Sequence, residues 1–447
     1  MPKKAVILNG AGSADQDLAP ILETLSGALE ADGAEVETFT LRDARLAHCL
    51  GCFGCWIKTP GMCVEADAGR DIARAMVHSD VAVLFTPVTF GGYSPELKRM
   101  VDRFIQLALP FFQLERGEVH HPPRYARPPR LLYVGVQRCA NPHEARIFKT
   151  LAGRNAINFH PPGYAAEVVS VTDDAGELRA RFTALLTRCD PLPFGNEAAS
   201  LMPWPVTPGS AADATASRRA LLLVGSPKTS EPSASNILGS YLIEHLRERG
   251  WESETLTLRA GLHRPDGAGE LLAAVRRAGT MMLACPLYVD SLPHLVTKAL
   301  TLIARDRQAG GAPALRMVTI LNSGFPETFQ NSVAMAICRE FAAQSGINWA
   351  GGLALGGGGV VTAHPLSTPQ GRGSPVRHIV AALDQTAAAL AQGLPVPAEA
   401  ARLMAKSPLP MPIWRRFYLW MGGRSFEKLA APNGVTREQL RGQPYMA

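Results

Sequence analysis

Four cysteines in one short segment are the residues of this chain best suited to chemistry. They fall within 15 residues, at Cys49, Cys52, Cys55 and Cys63. Four thiolates so closely spaced can enclose an iron–sulfur cubane, whereas a zinc site usually draws on two separated pairs. The spacing leaves three alternatives open: a [4Fe–4S] cluster, a zinc ion, or free or redox-active thiols.

The remaining four cysteines are scattered along the chain. Cysteine behaves as a small apolar residue when no partner is near. We therefore expect core positions for these residues, which are Cys139, Cys189, Cys285 and Cys338.

A second candidate site is a polar loop that precedes a helix, at residues 225–236. Its hydroxyls, amide and cation are Ser226, Lys228, Ser233, Ser235 and Asn236. Backbone N–H groups and the helix dipole at such a position suit a dianionic phosphate. An ordinary capped turn is the alternative, because serine and asparagine are favoured N-caps.

A poorer version of that loop occurs near the start of the chain. It contains Gly10 and Ser13, but also Asp15 and Asp17, whose negative charge opposes a phosphate. Neither loop has the lysine of a P-loop, so the sequence argues against an NTPase.

These loops belong to a strand and helix plan that occurs twice. Buried strands at 5–10 and 220–225 run into the loops, and helical periodicity follows at 18–29 and 237–246. Strands ending in proline follow at 81–87 and 281–286, then further strands at 131–136 and 317–321. Apolar strands that alternate with amphipathic helices predict two α/β, doubly wound parallel-sheet domains in tandem, each with a pocket at the carboxyl ends of its strands.

The two copies differ in length in an informative way. Gly10 and Pro87 are 77 residues apart, whereas Gly225 and Pro286 are 61 apart. The surplus of 16 matches the cysteine segment, which we interpret as an insertion in the first copy. The expected organisation is a first domain at 1–190, a linker at 191–217, a second domain at 218–395 and a tail at 396–447.

Composition favours a globular protein. The 447 residues carry a net charge of +6, with 47% hydrophobic and 19% charged residues. No run of lysine and arginine indicates nucleic acid. No stretch resembles a signal peptide or a membrane span, so we expect a cytoplasmic protein.

The stretch from Pro87 to Arg103 resembles the NAD(P)H-dependent FMN reductase and iron–sulfur flavoprotein group of the flavodoxin-like fold. The resemblance implies that the loop after the proline wraps an isoalloxazine ring, through Pro87, Val88, Thr89, Phe90, Gly91 and Gly92. It also implies that the helix containing Leu97, Lys98, Asp102 and Arg103 supports that loop. The second copy has a looser match at Pro286, Leu287, Tyr288 and Val289.

The same resemblance implies FMN as cofactor, NAD(P)H as electron donor, and the four clustered cysteines as ligands of a [4Fe–4S] cluster. Members of the group usually dimerise with flavin near the interface. A tandem chain is then expected to form an internal pseudo-dimer, with the cluster of one domain facing the flavin of the other. We name no catalytic side chain, because the flavin itself carries the hydride chemistry.

The leading hypothesis is therefore an FMN-dependent oxidoreductase passing electrons from NAD(P)H, or another reduced carrier, to an acceptor. The alternatives are a non-enzymatic flavodoxin-like electron carrier and a binding or scaffold protein with decayed flavin sites. Carriers are usually small and acidic, unlike this chain. The tail mixes aromatic residues with arginines at 413–420, and we expect it to dock on its own domains rather than form a membrane-surface helix or a lid.

Overall fold

The chain folds into two compact units, seen here in a computed structural model that describes residues 2–193, 217–228, 232–368 and 373–446. The first unit comprises Met1–Phe194 together with Phe417–Ala447, and the second comprises Gly195–Arg416. Most of the expected linker lies outside the described residues.

The first unit is built on a parallel sheet with helices between its strands. Its strands are β1 (Lys3–Asn9), β2 (Ala34–Thr40), β3 (Val81–Pro87), β4 (Gln113–Glu115), β5 (Glu118–His120), β6 (Arg130–Gln137) and β7 (Tyr164–Ser170). Its helices are α1 (Ala19–Ala31), α2 (Gly54–Ile57), α3 (Ala68–Val77), α4 (Pro95–Val101), α5 (Pro142–Phe159) and α6 (Ala175–Thr187). The parallel sheet has the order β2-β1-β3-β6-β7, and β4 pairs with β5 as a separate antiparallel hairpin.

The second unit repeats this sheet. Its strands are β8 (Arg219–Val224), β9 (Glu252–Thr257), β10 (Thr280–Pro286), β11 (Arg316–Asn322) and β12 (Asn348–Leu355). The helices among its described residues are α7 (Ala234–Arg247), α8 (Leu258–Leu262), α9 (Gly267–Arg277), α10 (His294–Gln308), α11 (Ser332–Gln344), α12 (Gly359–Ala363), α13 (Arg377–Ala391) and α14 (Ala398–Met404). A last helix, α15 (Met411–Ala430), starts in this unit, and its residues from Phe417 onward belong to the first unit.

Both sheets have the same topology. Numbered along the chain within each unit, the five parallel strands lie in the order 2-1-3-4-5. This order is that of the flavodoxin-like doubly wound fold. The prediction of two such domains in tandem is confirmed.

The strands form because their runs of branched aliphatic residues are buried on both faces of each sheet. Ile7, Val83 and Leu132 are fully buried in the first unit, as are Leu222 and Met282 in the second. Each such side chain contributes about 1.5–3 kcal/mol through burial. None of the helices in the described ranges is both long and apolar enough to span a membrane.

The cysteine segment is one difference between the two units. Between β2 and α3 there are 27 residues, whereas nine separate β9 from α9. The cysteines therefore lie in an insertion that leaves the carboxyl end of β2. Arg42, at its start, donates to the carbonyl of Gly12 over 3.1 Å, which keeps the segment beside the loop after β1.

A buried ionic network fixes the hairpin of the first unit to α5. Glu118 accepts from Arg154 over 2.6 Å through Oε1 and contacts His120 over 3.2 Å through Oε2. The other ring nitrogen of His120 lies 2.9 Å from Asn158 Oδ1. Burial acts to raise the pKa of Glu118, but the hydrogen bonds and charges of His120 and Arg154 lower it to about 2.

We predict that Glu118→Gln destabilises the protein by about 3 kcal/mol at pH 7, because it removes the negative charge that Arg154 contacts over 2.6 Å in this buried network. The lowered pKa of Glu118 means that its contribution is present above about pH 4.5 and is lost as the pH falls toward about 2. The difference in unfolding midpoint between the two proteins should therefore narrow below about pH 4.5. Glu115→Gln, on the opposite strand of the hairpin and partly exposed, is the control and should change little. A constant difference at all pH values would contradict the assignment.

Candidate functional site

The first loops of the two sheets start in the same way. The N–H of Gly10 donates to the carbonyl of Phe85 over 2.8 Å, and the N–H of Gly225 donates to Ala284 over the same distance. A Cβ at Gly10 would lie 2.6 Å from Leu97 Cβ, so glycine is required there. In each unit the loop after the first strand thus lies beside the end of the third strand, as predicted.

The loops after the two prolines are tight turns of one geometry. Thr89 and Gly92 exchange two backbone hydrogen bonds of 3.0 and 2.8 Å, and Tyr288 and Ser291 exchange two of 2.9 and 3.1 Å. The central residues all have positive φ, at Phe90 (55°), Gly91 (84°), Val289 (48°) and Asp290 (55°). Positive φ at both central positions defines a type I′ turn. A positive φ is unfavourable for a β-branched residue such as Val289. Backbone strain of this kind concentrates at functional sites.

The start of each turn is fixed to the neighbouring strand. The N–H of Val88 donates to Val136 over 2.9 Å, and that of Leu287 donates to Asn322 over 2.8 Å. Pro87 ends β3 and Pro286 ends β10. The structure thus brings the predicted ring loops to the carboxyl edges of both sheets in matching positions.

A buried carboxylate holds the turn of the first unit. Glu144 accepts the N–H of Gly91 through Oε1 over 3.2 Å and the side-chain amide of Gln137 through Oε2 over 2.8 Å. A Cβ at Gly91 would lie 2.6 Å from Ile147 on α5, so the turn packs directly against that helix. These contacts fix the turn to the end of β6 and the start of α5.

The phosphate loop of the second unit is described except for residues 229–231. Ser226 is buried at the end of β8, and Lys228 is exposed. Ser233 caps α7 by accepting the N–H of Asn236 over 3.2 Å, and Ser235 donates to Asn322 Oδ1 over 2.7 Å. Ser233, Ser235 and Asn236 therefore lie at the N-terminus of α7, where Ser233 and Ser235 also serve as structural contacts, whereas Ser226 and Lys228 follow the end of β8.

The phosphate loop of the first unit has different contacts. The N–H of Gly12 donates to Asp15 Oδ2 over 2.7 Å, and Ser13 is exposed. Arg138, which follows β6, donates to Asp15 Oδ1 over 2.8 Å and to Asp17 Oδ1 over 2.7 Å. The predicted residues Gly10 and Ser13 thus lie in a loop organised by its own carboxylates.

The four thiols of the cysteine segment have unequal exposure. Cys55 is buried, Cys49 and Cys63 are partly buried, and Cys52 is exposed. Burial, with help from the Asp102 charge and the neighbouring thiols, raises the pKa of Cys49 to about 12. Burial and the other three thiols raise the pKa of Cys55 well above its ordinary value. The thiols are close enough to influence one another, although the described His, Cys, Asp and Glu side chains form no group of three placed to hold a metal ion.

An ion pair closes the base of the cysteine segment. Asp67, the N-cap of α3, accepts from Arg103 over 2.6 Å and from the N–H of Ala47 over 2.7 Å. Burial acts to raise the pKa of Asp67, but the hydrogen bond from Arg103 and those from the backbone hold it below its usual value. The segment is thereby fixed to the chain just after α4, where Lys98 and the C-cap residue Asp102 form a buried ion pair of their own.

Aromatic packing covers the segment from the other side. The Nε1–H of Trp56, which is fully buried, donates to the carbonyls of Ile105 and Ala108 over 3.2 and 2.9 Å. Phe426 of α15 packs edge-on against Trp56 and Phe53, with ring centroids 4.8 and 5.4 Å away.

The end of the tail completes this cover. Gln106 Oε1 accepts from the N–H of Cys63 over 2.9 Å and from the hydroxyl of Tyr445 over 3.0 Å. Arg124 donates to the carbonyls of Leu440 and Gly442 over 3.0 and 2.7 Å. The tail therefore docks on its own chain at Phe426 and at residues 440–445. Within 413–420, where docking was predicted, Tyr418 is buried but Ile413 and Trp420 are exposed.

The expectation for the scattered cysteines is only half right. Cys285 and Cys338 are buried, as predicted, but Cys139 and Cys189 are exposed. Cys139 follows the end of β6 and Cys189 follows the end of α6, where the chain leaves its buried element. Other contributors to the site were missed from the sequence, namely Asp67, Arg124, Arg138 and Tyr445.

Residues 4–115 match the family described as NADPH-dependent FMN reductase, which confirms the resemblance for that part of the chain. An iron-sulfur flavoprotein of Methanocaldococcus jannaschii is 31% identical over 108 residues, covering 24% of this chain and 55% of the relative. An iron-sulfur flavoprotein of Archaeoglobus fulgidus is 28% identical over 102 residues, covering 23% and 46%. The chain thus spans about half the length of the curated relatives it matches.

Solved structures also resemble parts of the chain. An NAD(P)H:quinone oxidoreductase from Methanothermobacter marburgensis aligns with a TM-score of 0.34 and 12% identity, over 41% of this chain and 97% of the other. An azoreductase from Bacillus anthracis aligns with a TM-score of 0.29 and 12% identity, over 39% and 99%. The fold assignment rests on the strand order of the two sheets.

We predict that alkylation will separate the cysteines by burial. In reduced, metal-free protein treated with N-ethylmaleimide, Cys52, Cys139 and Cys189 should react first. Cys55 and Cys285, whose burial raises their pKa, should react at least about tenfold more slowly. Peptide mass spectrometry gives the rate at each site, and urea-unfolded protein is the control in which the rates should converge. Equal rates for Cys55 and Cys52 in the folded protein would contradict the described packing.

Proposed function

We propose that the protein is an FMN-dependent oxidoreductase that passes electrons from NAD(P)H, or from another reduced carrier, to an acceptor. The observation that carries this proposal is the type I′ turn that follows the third parallel strand in both units. In the first unit this turn lies in the part of the chain that matches the NADPH-dependent FMN reductase family.

The residues present suit an FMN cofactor. Bound flavin would supply the hydride and electron chemistry. The chain would supply the turns at Thr89–Gly92 and Tyr288–Ser291, of which only the first contains glycines that let a flat ring approach the backbone closely. For the phosphate it would supply the N-terminus of α7, the Ser226 hydroxyl and the Lys228 cation.

A cluster is supported by the compact spacing of the four cysteines and by the matched relatives, which are iron-sulfur flavoproteins. Coordination by iron would keep the thiols deprotonated. We therefore propose that a [4Fe–4S] cluster, where present, is held by Cys49, Cys52, Cys55 and Cys63 and exchanges electrons with the flavin.

We expect purified protein to be yellow and to release FMN on heating, identified by chromatography against FAD and riboflavin standards. Each phosphate loop is short, and nothing in the sequence resembles an adenosine site. Anaerobic NADH or NADPH should bleach the visible absorption. FAD, or no flavin, would contradict the cofactor assignment. A yellow protein inert to both nicotinamides would favour the electron-carrier alternative.

We expect anaerobically purified protein to contain iron and acid-labile sulfide, and Cys52→Ser to lose most of both, because a cubane needs all of its thiolate ligands. Cys139→Ser removes an exposed thiol of the same unit outside the segment and is the matched control. Iron content that falls equally in both variants would contradict the assignment. Zinc in place of iron would favour the zinc alternative, and the absence of any metal would favour free or redox-active thiols.

A further inference from the structure

We propose that Asp15 fills the phosphate position of the first unit with the chain's own carboxylate, so that the chain carries one FMN, in the second unit. This inference rests on the proposed function, since it assumes that the protein binds FMN. It goes further by assigning the flavin to one of two sheets that share a topology.

The two loops can be compared residue by residue. Gly10 and Gly225 make the same hydrogen bond to the third strand, and nine positions later the first helices begin, at Ala19 and Ala234. The ungapped alignment puts Asp15 opposite Ser230 in the sequence, and Asp17 opposite Pro232. The sequence of the first loop therefore carries two carboxylates, at positions 15 and 17, whereas that of the second carries one, at Glu231, opposite Gln16.

Asp15 already takes the kinds of donor that a phosphate would use. Phosphate sites of this type draw on loop N–H groups and on a nearby cation. Here the N–H of Gly12 donates to Asp15 Oδ2 over 2.7 Å, and Arg138 donates to Asp15 Oδ1 over 2.8 Å. The Asp15 side chain is only 12% exposed, so its carboxylate lies within the loop and not in solvent.

Further negative charge surrounds this carboxylate. Arg138 is shared with Asp17, which it contacts over 2.7 and 3.1 Å. A Cβ placed on Gly12 would lie 3.5 Å from Glu96 Oε1, so a third carboxylate borders the same space. A phosphate dianion entering the loop would have to displace Asp15 from its donors and would meet repulsion from Asp17 and Glu96.

The second loop carries a different charge at residues 225–228, which the structure describes. In the alignment Ser226 stands opposite Ala11, and Lys228 stands opposite Ser13. The second loop therefore has one more positive charge than the first at these two positions. The contrast assigns phosphate recognition to the second unit.

The test is the FMN stoichiometry of the full chain, stripped of flavin and titrated with FMN while the quenching of flavin fluorescence is followed. Wild type should bind one FMN per chain. Lys228→Ala should weaken that site about tenfold or more, through loss of a charge-assisted hydrogen bond. Arg249→Ala removes a positive charge beyond the opposite end of α7 and should leave the affinity unchanged.

The decisive variant is Asp15→Ser/Asp17→Ser, which should bind a second FMN, and this new site should persist when Lys228→Ala is added. Serine at position 15 keeps a side-chain acceptor for the Gly12 N–H, and circular dichroism will verify folding. Asp43→Ser, an exposed aspartate after β2, is the charge control and should still bind one. Two FMN in wild type, no gain in the double variant, or no effect of Lys228→Ala would overturn the inference while leaving the proposed function intact. A wild type that binds no FMN would overturn both.

Discussion

The backbone N–H groups that leave the carboxyl edge of a parallel sheet must each find an acceptor, and this constraint governs the site in each unit. The first of these N–H groups finds its acceptor in the same way in both units: Gly10 donates to the carbonyl of Phe85, and Gly225 donates to the carbonyl of Ala284. Further along, carboxylates of the first unit accept the loop N–H groups: Asp15 accepts that of Gly12 after β1, and Glu144 accepts that of Gly91 after β3. The chemistry available at a shared sheet edge therefore depends on which acceptors the chain itself provides.

The same reasoning explains why an insertion of this length can persist beside that edge. A loop of this kind carries polar backbone and a large indole, which are costly to bury without partners. The ion pair of Asp67 with Arg103 closes its base, and the carbonyls of Ile105 and Ala108 satisfy Trp56. The tail then covers the aromatic face with Phe426. The cysteines are thus held by contacts from distant parts of one unit.

The sequence predicts what depends on local pattern, and little of what depends on distant pairing. Buried strands, helix periodicity and the proline turns are local, so the three inner strands of each sheet and the loops after the first two could be inferred from composition and spacing. The ranges of the outer strands come from the structure. The turn at Val289 fits the predicted ring loop, but its positive φ was not readable from a β-branched residue. Asp15 with Arg138, and Cys63 with Tyr445 through Gln106, join residues far apart in the chain. Only the folded chain shows these partners.

The family match can lie in the first unit even if that unit does not bind the flavin phosphate, because folding and ligand binding depend on different residues. The family match covers residues 4–115, which include the loop where Asp15 accepts the Gly12 N–H. A match over strands, a turn and a cysteine segment reflects the conditions for folding, which a loop carboxylate such as that of Asp15 does not disturb. Ligand binding is more sensitive, because a single charge at a loop amide can replace the anion that the loop would otherwise bind. The proposal that Asp15 takes the phosphate position therefore predicts a first unit that keeps this similarity without binding the phosphate, and a cluster, where present, would give that unit a separate role.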